Sequence, residues 1–282
     1  MNNESLGTLF VVSTPIGNLG DMTIRAQQVL NDVDKIAAED TRHSKRLLDH
    51  FGIRTPMFAL HEHNESQKSE YIVELLQGGK SVALISDAGT PLISDPGFYL
   101  VSQVRQAGLV VVPIPGASAL TAALSVSGLP SDRFSFEGFL PAKSSQRLTS
   151  LKKLSEESRT MIFYEAPHRI KASLMGMLES FGSNRTAVLA KELTKSFESV
   201  QSGTFDELLR WLEEDEARTK GEFVILVRGA EVRENMVSAE TEHLMKVLMS
   251  ELPLKQSAAL ASKISGIKKN ELYELGLTLK DK

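Results

Sequence analysis

The feature that most constrains the fold is a series of short apolar runs, each ending in a loop of small or charged residues that leads into a helix. The clearest example is VALISDAGTPLISDPG, residues 82–97. Val82–Ile85 is uniformly apolar, as expected for a strand that is buried on both faces of a sheet. The following DAGTP favours a turn, because glycine permits positive φ and proline fixes φ. The SDP at 94–96 is typical of a helix N-cap, and we predict a helix over Phe98–Gln106.

The same unit recurs through the first half of the chain. Further strands are predicted at Thr8–Ser13, Lys35–Glu39, Met57–Leu60 and Leu109–Ile114, with helical segments between them. Strands that alternate with helices predict a mainly parallel sheet covered by helices. Ligands bind such sheets where the strands end, so the strand exits hold the candidate site residues.

A second set of strands and helices begins near Arg133 and has more antiparallel character. Its strands are predicted at Phe134–Leu140, Thr160–Tyr164, Thr186–Ala190, Phe197–Gly203 and Glu222–Val227. The connection between the two sets is short, so the two halves should touch and form a cleft. The tail reads as three short helices with glycine in a turn, like a helix-turn-helix unit. The predicted fold is α/β, with two α/β domains (1–117 and 118–232), an interdomain cleft and a small C-terminal helical domain (233–282).

Composition excludes several classes of protein. The 282 residues are 41% hydrophobic and 24% charged, which is ordinary for a soluble globular protein. No apolar run approaches the ~20 residues that span a bilayer, and the N-terminus lacks the pattern of a signal peptide. The absence of cysteine excludes disulfides and thiolate chemistry. We therefore expect a cytoplasmic protein with no membrane association. The net charge of −4 means that nucleic-acid binding would need a local basic face.

Charged side chains stand where several predicted strands end, and unpaired charges are costly to bury, so they belong at a rim or in a site. The residues at these exits include Asp40, Arg42, His61, His63, Glu165, His168, Arg169 and Lys191. A helix cap is an equally weighted interpretation of Asp40. A metal at His61 and His63 is disfavoured because no third ligand is apparent. The first glycine loop has G-x-x-G spacing, which does not match a dinucleotide fingerprint.

Nine motifs that occur in order resemble the tetrapyrrole-methylase superfamily: TPIGNLGD, AEDTR, HEHNE, ISDAGTPLISDPG, PIPGASA, EGFLP, FYEAPHR, AKELTK and GEFVILV. They are most similar to the bacterial branch that methylates ribose hydroxyls of small-subunit ribosomal RNA. The resemblance covers about residues 7–230, and the tail resembles the small helical domain of that branch. Any one motif would be weak, but the ordered set is specific.

The resemblance implies S-adenosylmethionine as methyl donor, bound in the interdomain cleft, and a homodimer. It implies as target a cytidine 2′-hydroxyl in the decoding region of small-subunit (16S) ribosomal RNA, free or in the assembled subunit. It assigns the donor site to Asp87, Ala88, Gly89, Thr90, Ala117, Ser118 and Ala119, completed by Tyr164, Leu193 and Glu222. Other superfamily members have G-D-P directly after the fourth strand, whereas this chain has Ser86-Asp87-Ala88 and lacks the proline.

The acceptor side is less defined by the sequence. Methyl transfer requires alignment of donor and nucleophile, and a ribose hydroxyl needs a proton acceptor nearby. Candidate catalytic residues are Asp40, His63, Glu165 and Lys191, and the sequence does not choose among them. Residues expected to face RNA are Gly17, Arg42, Arg169, Lys152 and Lys153. Two alternatives remain open: a methyltransferase acting on a tetrapyrrole-like acid, and a non-enzymatic RNA-binding protein.

Overall fold

A computed structural model describes residues 6–231 and 239–280. The chain divides into two compact units, Met1–Ala230 and Glu231–Lys282. The first unit holds two five-stranded sheets, and the second is helical. The predicted fold class, α/β with two α/β halves followed by a helical region, is confirmed. No helix in the described ranges has the length and apolar character needed to cross a membrane.

The first sheet is entirely parallel, as predicted from the alternation of strands and helices. Its elements are β1 (Thr8–Val12), α1 (Ile24–Asp32), β2 (Lys35–Ala38), α2 (Thr41–His50), β3 (Met57–Ala59), α3 (Glu65–Gln77), β4 (Val82–Ile85), α4 (Phe98–Gln106) and β5 (Val110–Ile114). The strand order is β3-β2-β4-β1-β5. β1 therefore lies between β4 and β5, so the exits of β4 and β5 flank the exit of β1.

β4 shows why this sheet needs helices on both faces. Val82 and Leu84 pack in the cluster that contains α3 and α4 residues, whereas Ala83 and Ile85 pack in the cluster formed with α1 and α2. All four side chains are at most 1% exposed. Successive side chains of a strand point to opposite faces, so an uninterrupted apolar run has no face that water can cover.

The second sheet is mixed, with the antiparallel character that was predicted. After α5 (Ala119–Ser127) come β6 (Phe134–Phe139), α6 (Ser144–Lys153), β7 (Thr160–Glu165), α7 (Ile170–Phe181), β8 (Thr186–Lys191), β9 (Ser199–Thr204), α8 (Phe205–Glu214) and β10 (Phe223–Val227). The order is β6-β7-β10-β8-β9, and only β6 and β7 pair in parallel. α5 packs on one face of this sheet, and α6, α7 and α8 pack on the other.

The N-terminus of α4 differs from the prediction. Residues 94–96 were predicted to cap this helix, but its N-cap is Gly97, which has a φ of 129° and no side chain to offer. The amides of Gly97 and Leu100 instead donate to Glu65 Oε1 at 3.0 and 3.1 Å. The prediction was wrong because a cap supplied from a distant element leaves no local signal. Ser94 and Asp95 are therefore available for another role.

The second unit consists of α9 (Ala239–Glu251), α10 (Leu254–Ser265) and α11 (Lys269–Lys280), the three helices that were predicted. α10 ends at Gly266, whose φ of 74° lies in the left-handed region. The helices share a small apolar cluster that includes Met245, Ala258 and Leu272. The unit thus has an apolar core of its own.

Candidate functional site

A cavity of about 470 Å³ lies between the two sheets of the first unit, where strands of both sheets end. Its lining comes from the exits of β2, β4 and β5 on one side, and from β6, β7, β8 and the start of β10 on the other. The volume falls within the ~300–1,000 Å³ typical of small-molecule sites. The cleft predicted between the two α/β halves is present.

The cavity collects most of the residues that the family resemblance assigned to the donor. Nine of the ten line it: Asp87, Ala88, Gly89, Thr90, Ser118, Ala119, Tyr164, Leu193 and Glu222. The tenth, Ala117, does not line the cavity, but its carbonyl accepts a hydrogen bond from the Thr90 hydroxyl at 3.0 Å. The exits of β4 and β5 therefore meet in one cavity even though β1 lies between the two strands.

Hydrogen bonds connect the exits of β1, β4 and β5, which together form one side of the cavity, here called the floor. The Thr90 and Ser13 hydroxyls lie 2.9 Å apart, which links the loop after β4 to the end of β1. The amide of Thr14 donates to the carbonyl of Gly89 at 2.8 Å, and the amide of Gly89 donates back at 3.1 Å. A Cβ at Gly116 would lie only 2.9 Å from the Cβ of Ser13, so glycine is required for this close approach. The floor is thus fixed by backbone geometry as well as by side chains.

Backbone strain is concentrated beside this cavity. Of the non-glycine residues that the structure describes, four have φ in the left-handed region: Leu92 (74°), Ser94 (69°), Glu192 (51°) and Thr194 (66°). They alternate with Ile93 and Leu193, which line the cavity. A left-handed conformation costs a non-glycine residue roughly 1–2 kcal/mol, and such strain is retained mainly at functional sites. Both loops are therefore held in shapes that their sequences do not favour.

Five carboxylates line the cavity, and three of them, Glu39, Asp87 and Asp95, form no ion pair within the described ranges. Glu39 Oε2 accepts from the amide of Asp87 at 3.3 Å, and Asp87 Oδ1 accepts from the amide of Asp40 at 3.1 Å. Asp95 is the third, on the loop after β4. Sequence reasoning did not select Glu39 or Asp95, although both lie in the motifs AEDTR and ISDAGTPLISDPG.

The proximity of these carboxylates changes their acidity. Burial, together with repulsion from Glu39 and Asp87, raises the pKa of Asp95 to about 6. Burial, opposed by the hydrogen bond from the Asp87 amide, also raises the pKa of Glu39. This wall of the cavity therefore carries negative charge that no ion pair of the described residues neutralises, which favours a cationic ligand.

Tyr164 forms part of the opposite wall and orients α5. Its hydroxyl accepts a hydrogen bond from the amide of Leu120 at 3.0 Å, which satisfies an N-terminal amide of α5. Burial raises the pKa of this hydroxyl. Edge-to-face contacts with Phe136 and Phe139 hold the ring, with centroids 4.9 and 5.7 Å away. Phe139 also lines the cavity, a position that the sequence did not indicate.

Of the four candidate catalytic residues, only Glu165 lines the cavity. Its carboxylate is 1% exposed and lies 2.7 Å from Arg169 Nη2. It also accepts from the Ser173 hydroxyl and from the amide of Ala166. Because these donors occupy both oxygens, the geometry describes a buried structural ion pair. Arg169, predicted to face RNA, is held in that pair and also donates to the carbonyl of Leu140.

The other three candidates lie outside the cavity lining. Asp40 is the N-cap of α2, and its carboxylate pairs with Arg42 at 2.8 Å. The Arg42 side chain and amide hold the pKa of Asp40 well below its usual range, and Arg42 itself is 90% exposed. This is the helix-cap geometry that the sequence left open. His63 is exposed at the surface, and Lys191 is buried at the end of β8.

The remaining candidates for RNA contact are distributed over the surface. Gly17 is exposed, with a φ of 154°, and a Cβ there would lie 2.4 Å from Lys195 Cγ. Lys195 Nζ donates to Glu192 and Glu222, so the first loop packs on an ion-paired lysine of the second sheet. Lys152 and Lys153 are exposed in the last turn of α6. In the described part of the chain, no group of three or more His, Asp or Glu could hold a metal ion.

The first unit has two helix-covered β-sheets with an anionic cleft between them, and this architecture indicates the class of protein. The sequence matches the family Tetrapyrrole (Corrin/Porphyrin) Methylases over residues 8–209, and the RsmI C-terminal HTH domain over residues 235–280. The chain belongs to the tetrapyrrole methylases. It is therefore a methyltransferase with S-adenosylmethionine as methyl donor, as the motifs implied.

Curated relatives agree with this assignment. The chain is 56% identical over 275 residues to ribosomal RNA small subunit methyltransferase I of Pseudomonas aeruginosa, covering 97% of this chain and 98% of that protein. It is 53% identical over 275 residues to the protein of the same name from Escherichia coli O157:H7, covering 98% and 96%.

Solved structures show the same fold at low identity. Uroporphyrin-III-C-methyltransferase from Thermus thermophilus has a TM-score of 0.54 at 19% identity, covering 79% of this chain and 94% of that chain. Diphthine synthase has a TM-score of 0.59 at 15% identity, covering 79% and 89%.

The residues of the cavity suit this donor. S-adenosylmethionine, when bound, supplies a methyl group activated by a positively charged sulfonium. The carboxylates of Glu39, Asp87 and Asp95 offer charge of the opposite sign. Ile93, Leu193 and Val224 add apolar surface of the kind that receives a purine ring.

Proposed function

We propose that the chain transfers a methyl group from S-adenosylmethionine to the 2′-hydroxyl of a cytidine in the decoding region of small-subunit (16S) ribosomal RNA. The observation that carries this proposal is the identity of 53–56%, over nearly the whole chain, to relatives named ribosomal RNA small subunit methyltransferase I. The cytidine and the ribose position rest on the resemblance of the motifs. The substrate is the RNA itself or the assembled small subunit.

On the donor side, the proposed site consists of the ten residues assigned by the motifs, with Glu39 and Asp95 added. Asp87 supports the assignment best, because its carboxylate lines the cavity and its position is fixed by the amide of Asp40. The floor formed by the exits of β1, β4 and β5 orients the donor and so contributes mainly to alignment.

On the acceptor side, Asp95 is the carboxylate that we propose accepts the hydroxyl proton. It lines the cavity, pairs with no cation in the described ranges, and lies within electrostatic reach of Tyr164 on the second sheet. Its pKa of about 6 leaves it ionised at neutral pH yet more basic than an ordinary aspartate. Asp40, His63, Glu165 and Lys191 stay as alternatives that single substitutions will separate from it.

Binding of the RNA is proposed to use exposed cations around the cleft. Lys152 and Lys153 on α6 and the exposed Arg42 are suited to phosphates, and Gly17 lies on the loop expected to face the RNA. Arg169 contributes indirectly, since its guanidinium is engaged with Glu165. Methylation of ribosomal RNA implies a cytoplasmic location, and the family resemblance implies a homodimer.

We also propose 117/118 as the boundary between the two α/β domains. α5, which begins at Ala119, packs on the second sheet and shares an apolar cluster with Ile162 and Val224. The expected boundary between 232 and 233 lies outside the described residues.

A labelling experiment tests the proposed reaction. The purified chain is incubated with methyl-labelled S-adenosylmethionine and either small subunits from cells that lack the endogenous enzyme, or a uroporphyrin-type tetrapyrrole. The expected result is label in the small-subunit RNA, at one cytidine that becomes resistant to alkaline cleavage. Label in the tetrapyrrole alone would establish the small-molecule alternative. Binding of small subunits without any transfer would establish a non-enzymatic role.

A further inference from the structure

The loop of residues 88–97, here called the donor loop, is anchored at both ends. At one end Gly89 exchanges two backbone hydrogen bonds with Thr14. At the other end Gly97 and Leu100 donate their amides to Glu65 Oε1. We propose that Glu65 is a positioning residue for methyl transfer, holding the donor loop in the conformation that binds the donor. This inference rests on the donor site proposed above.

The anchor is built on rigid elements. Glu65 is the first residue of α3, and its carboxylate oxygen receives two amides of the first turn of α4 at 3.0 and 3.1 Å. α3 and α4 pack together through fully buried apolar side chains, among them Ile72 and Leu100. A carboxylate at a helix N-terminus also interacts favourably with the helix dipole. Since α4 has no cap of its own, Glu65 supplies the cap for this helix.

The donor loop needs such an anchor because it is strained. Leu92 and Ser94 both adopt left-handed φ values, and Gly97 has a φ of 129°. A Cβ at Gly97 would lie 2.8 Å from Leu84 Cδ2, so the chain passes close to the sheet at this point. Residues in such conformations persist only when their surroundings over-determine them. Release of the anchor would allow Ile93, Ser94 and Asp95 to leave the cavity lining.

Glu65 itself does not line the cavity, so its influence on the donor passes through the loop. Two hydrogen bonds from backbone amides to one carboxylate oxygen are of the strong, charge-assisted kind. Loss of these hydrogen bonds should shift the donor loop towards relaxed conformations. The apparent affinity for the donor is then reduced in proportion to the fraction of molecules whose loop keeps the binding-competent conformation. A purely structural cap would lower the stability of the protein without changing donor affinity.

The test uses the full-length protein and S-adenosylmethionine as the probe. Calorimetry gives the Kd for the donor, and steady-state labelling of small subunits gives kcat and KM. Glu65→Ala is expected to weaken donor binding about 10- to 100-fold and to raise KM for the donor by a similar factor. Glu65→Gln retains an acceptor oxygen and is expected to bind the donor within about 3-fold of wild type.

A matched control removes an equivalent cap far from the donor. Glu207 accepts from the amide of Thr204 at 2.8 Å in the capping box of α8, which packs on the other face of the second sheet. Glu207→Ala should lower the melting temperature as Glu65→Ala does, with the donor Kd unchanged. If Glu65→Ala also leaves the donor Kd unchanged, Glu65 only stabilises α4 and the inference fails.

Two further outcomes are decisive. If Glu65→Ala does not fold, Glu65→Asp keeps the charge but is too short to reach both amides. Weaker donor binding by that variant supports the inference, and wild-type affinity overturns it. If wild type binds the donor but does not label small subunits, the proposed acceptor is wrong while the role of Glu65 in donor binding stands.

Discussion

At the scale of single residues, the surroundings decide which carboxylates are structural and which are available for chemistry. Glu165 and Asp40 each pair with an arginine, at 2.7 and 2.8 Å. Asp95 lines the same cavity as Glu165, and burial, together with repulsion from Glu39 and Asp87, raises its pKa. Pairing with Arg42 lowers the pKa of Asp40, so the pKa values of Asp40 and Asp95 move in opposite directions.

Asp95→Asn should abolish a pH dependence that wild type shows. Protonation of Asp95 below its pKa of about 6 removes the proton acceptor, so the wild-type rate should rise with pH through about 6 and then level off. The variant should be slower by about 10²- to 10⁴-fold above pH 7 and should lack this rise. Single-turnover labelling at saturating donor measures it, with the exposed Asp132→Asn as control.

The same group should make stability depend on pH in a defined direction. Burial raises the folded-state pKa of Asp95 above its ordinary value of 3.8. The protonated carboxyl therefore stabilises the fold below pH ~4, and this contribution is lost as the pH rises through about 6. Without donor, Asp95→Asn should melt at or above the wild-type temperature at pH 8. A lower melting temperature there would show that the ionised carboxylate is stabilising.

Asp87 belongs to the donor side, and its loss should affect binding before chemistry. Asp87→Ala should weaken S-adenosylmethionine binding by roughly 1.5–3 kcal/mol through loss of a charge-assisted hydrogen bond. Ser118→Trp should block the cavity while the protein stays folded. Asp40→Ala is the matched control, because Asp40 lies beside Asp87 but outside the cavity lining. Unchanged donor affinity by calorimetry in Asp87→Ala and Ser118→Trp would move the donor site elsewhere.

At the scale of elements, the loops that follow the strands determine the shape of the cavity more than the strands do. The parallel strands of the first sheet are held by apolar burial, which any well-packed α/β sheet provides. The loops after β4 and β8 instead contain left-handed residues and a fully engaged lysine–glutamate pair. These two loops belong to different sheets, and the packing of the sheets brings both to the lining of one cavity.

Gly97→Ala tests the geometry of the donor loop. The substitution adds a Cβ at a φ of 129°, where it would lie 2.8 Å from Leu84 Cδ2. We expect a loss of roughly 2–4 kcal/mol in the free energy of unfolding, from backbone strain and overpacking together. Gly108→Ala is the control, because Gly108 also has positive φ (72°) but open space around its Cβ. Denaturant titration should show a clearly larger loss for Gly97→Ala, accompanied by weaker donor binding.

At the scale of the whole molecule, charge must be considered locally. The chain is acidic overall, with a net charge of −4, yet the proposed substrate is a polyanion. Lys152 makes only an exposed contact of 3.4 Å with Glu179, the kind of ion pair that contributes about 0–1 kcal/mol. It is therefore available to a phosphate at little cost.

Lys152 and Lys153 should set part of the salt dependence of RNA binding. Each phosphate contact releases counterions and adds about 0.7–0.9 to the slope of log K against log salt. Replacing both lysines by alanine should reduce the slope for small-subunit binding by up to about 1.8. Lys80 and Lys220, which are exposed and ion-paired, provide a double variant with the same change in net charge. Equal slopes for wild type and Lys152→Ala/Lys153→Ala would exclude α6 from the RNA interface.

The sequence by itself determined the fold class and the position of most strands and helices, and its motifs indicated nine residues that line the cavity. The apolar run Val82–Ile85 predicted a strand buried on both faces, and the small residues after it predicted a tight loop. Such features depend on interactions within a few residues, which periodicity and turn chemistry report directly. The ordered motifs then indicated which strand exits meet, because they resemble a family in which these loops surround one binding site.

Only the tertiary structure decided which side chains are partners. Glu65 caps a helix whose N-cap residue lies 32 residues further along the chain, and Asp95 faces Glu39 across two strand exits. Arg169 pairs with Glu165, a partner that the sequence did not indicate. Each of these contacts joins elements that are far apart in sequence. Their energies depend on distances of a few ångströms, which are set when the sheets pack and which no local pattern in the chain records.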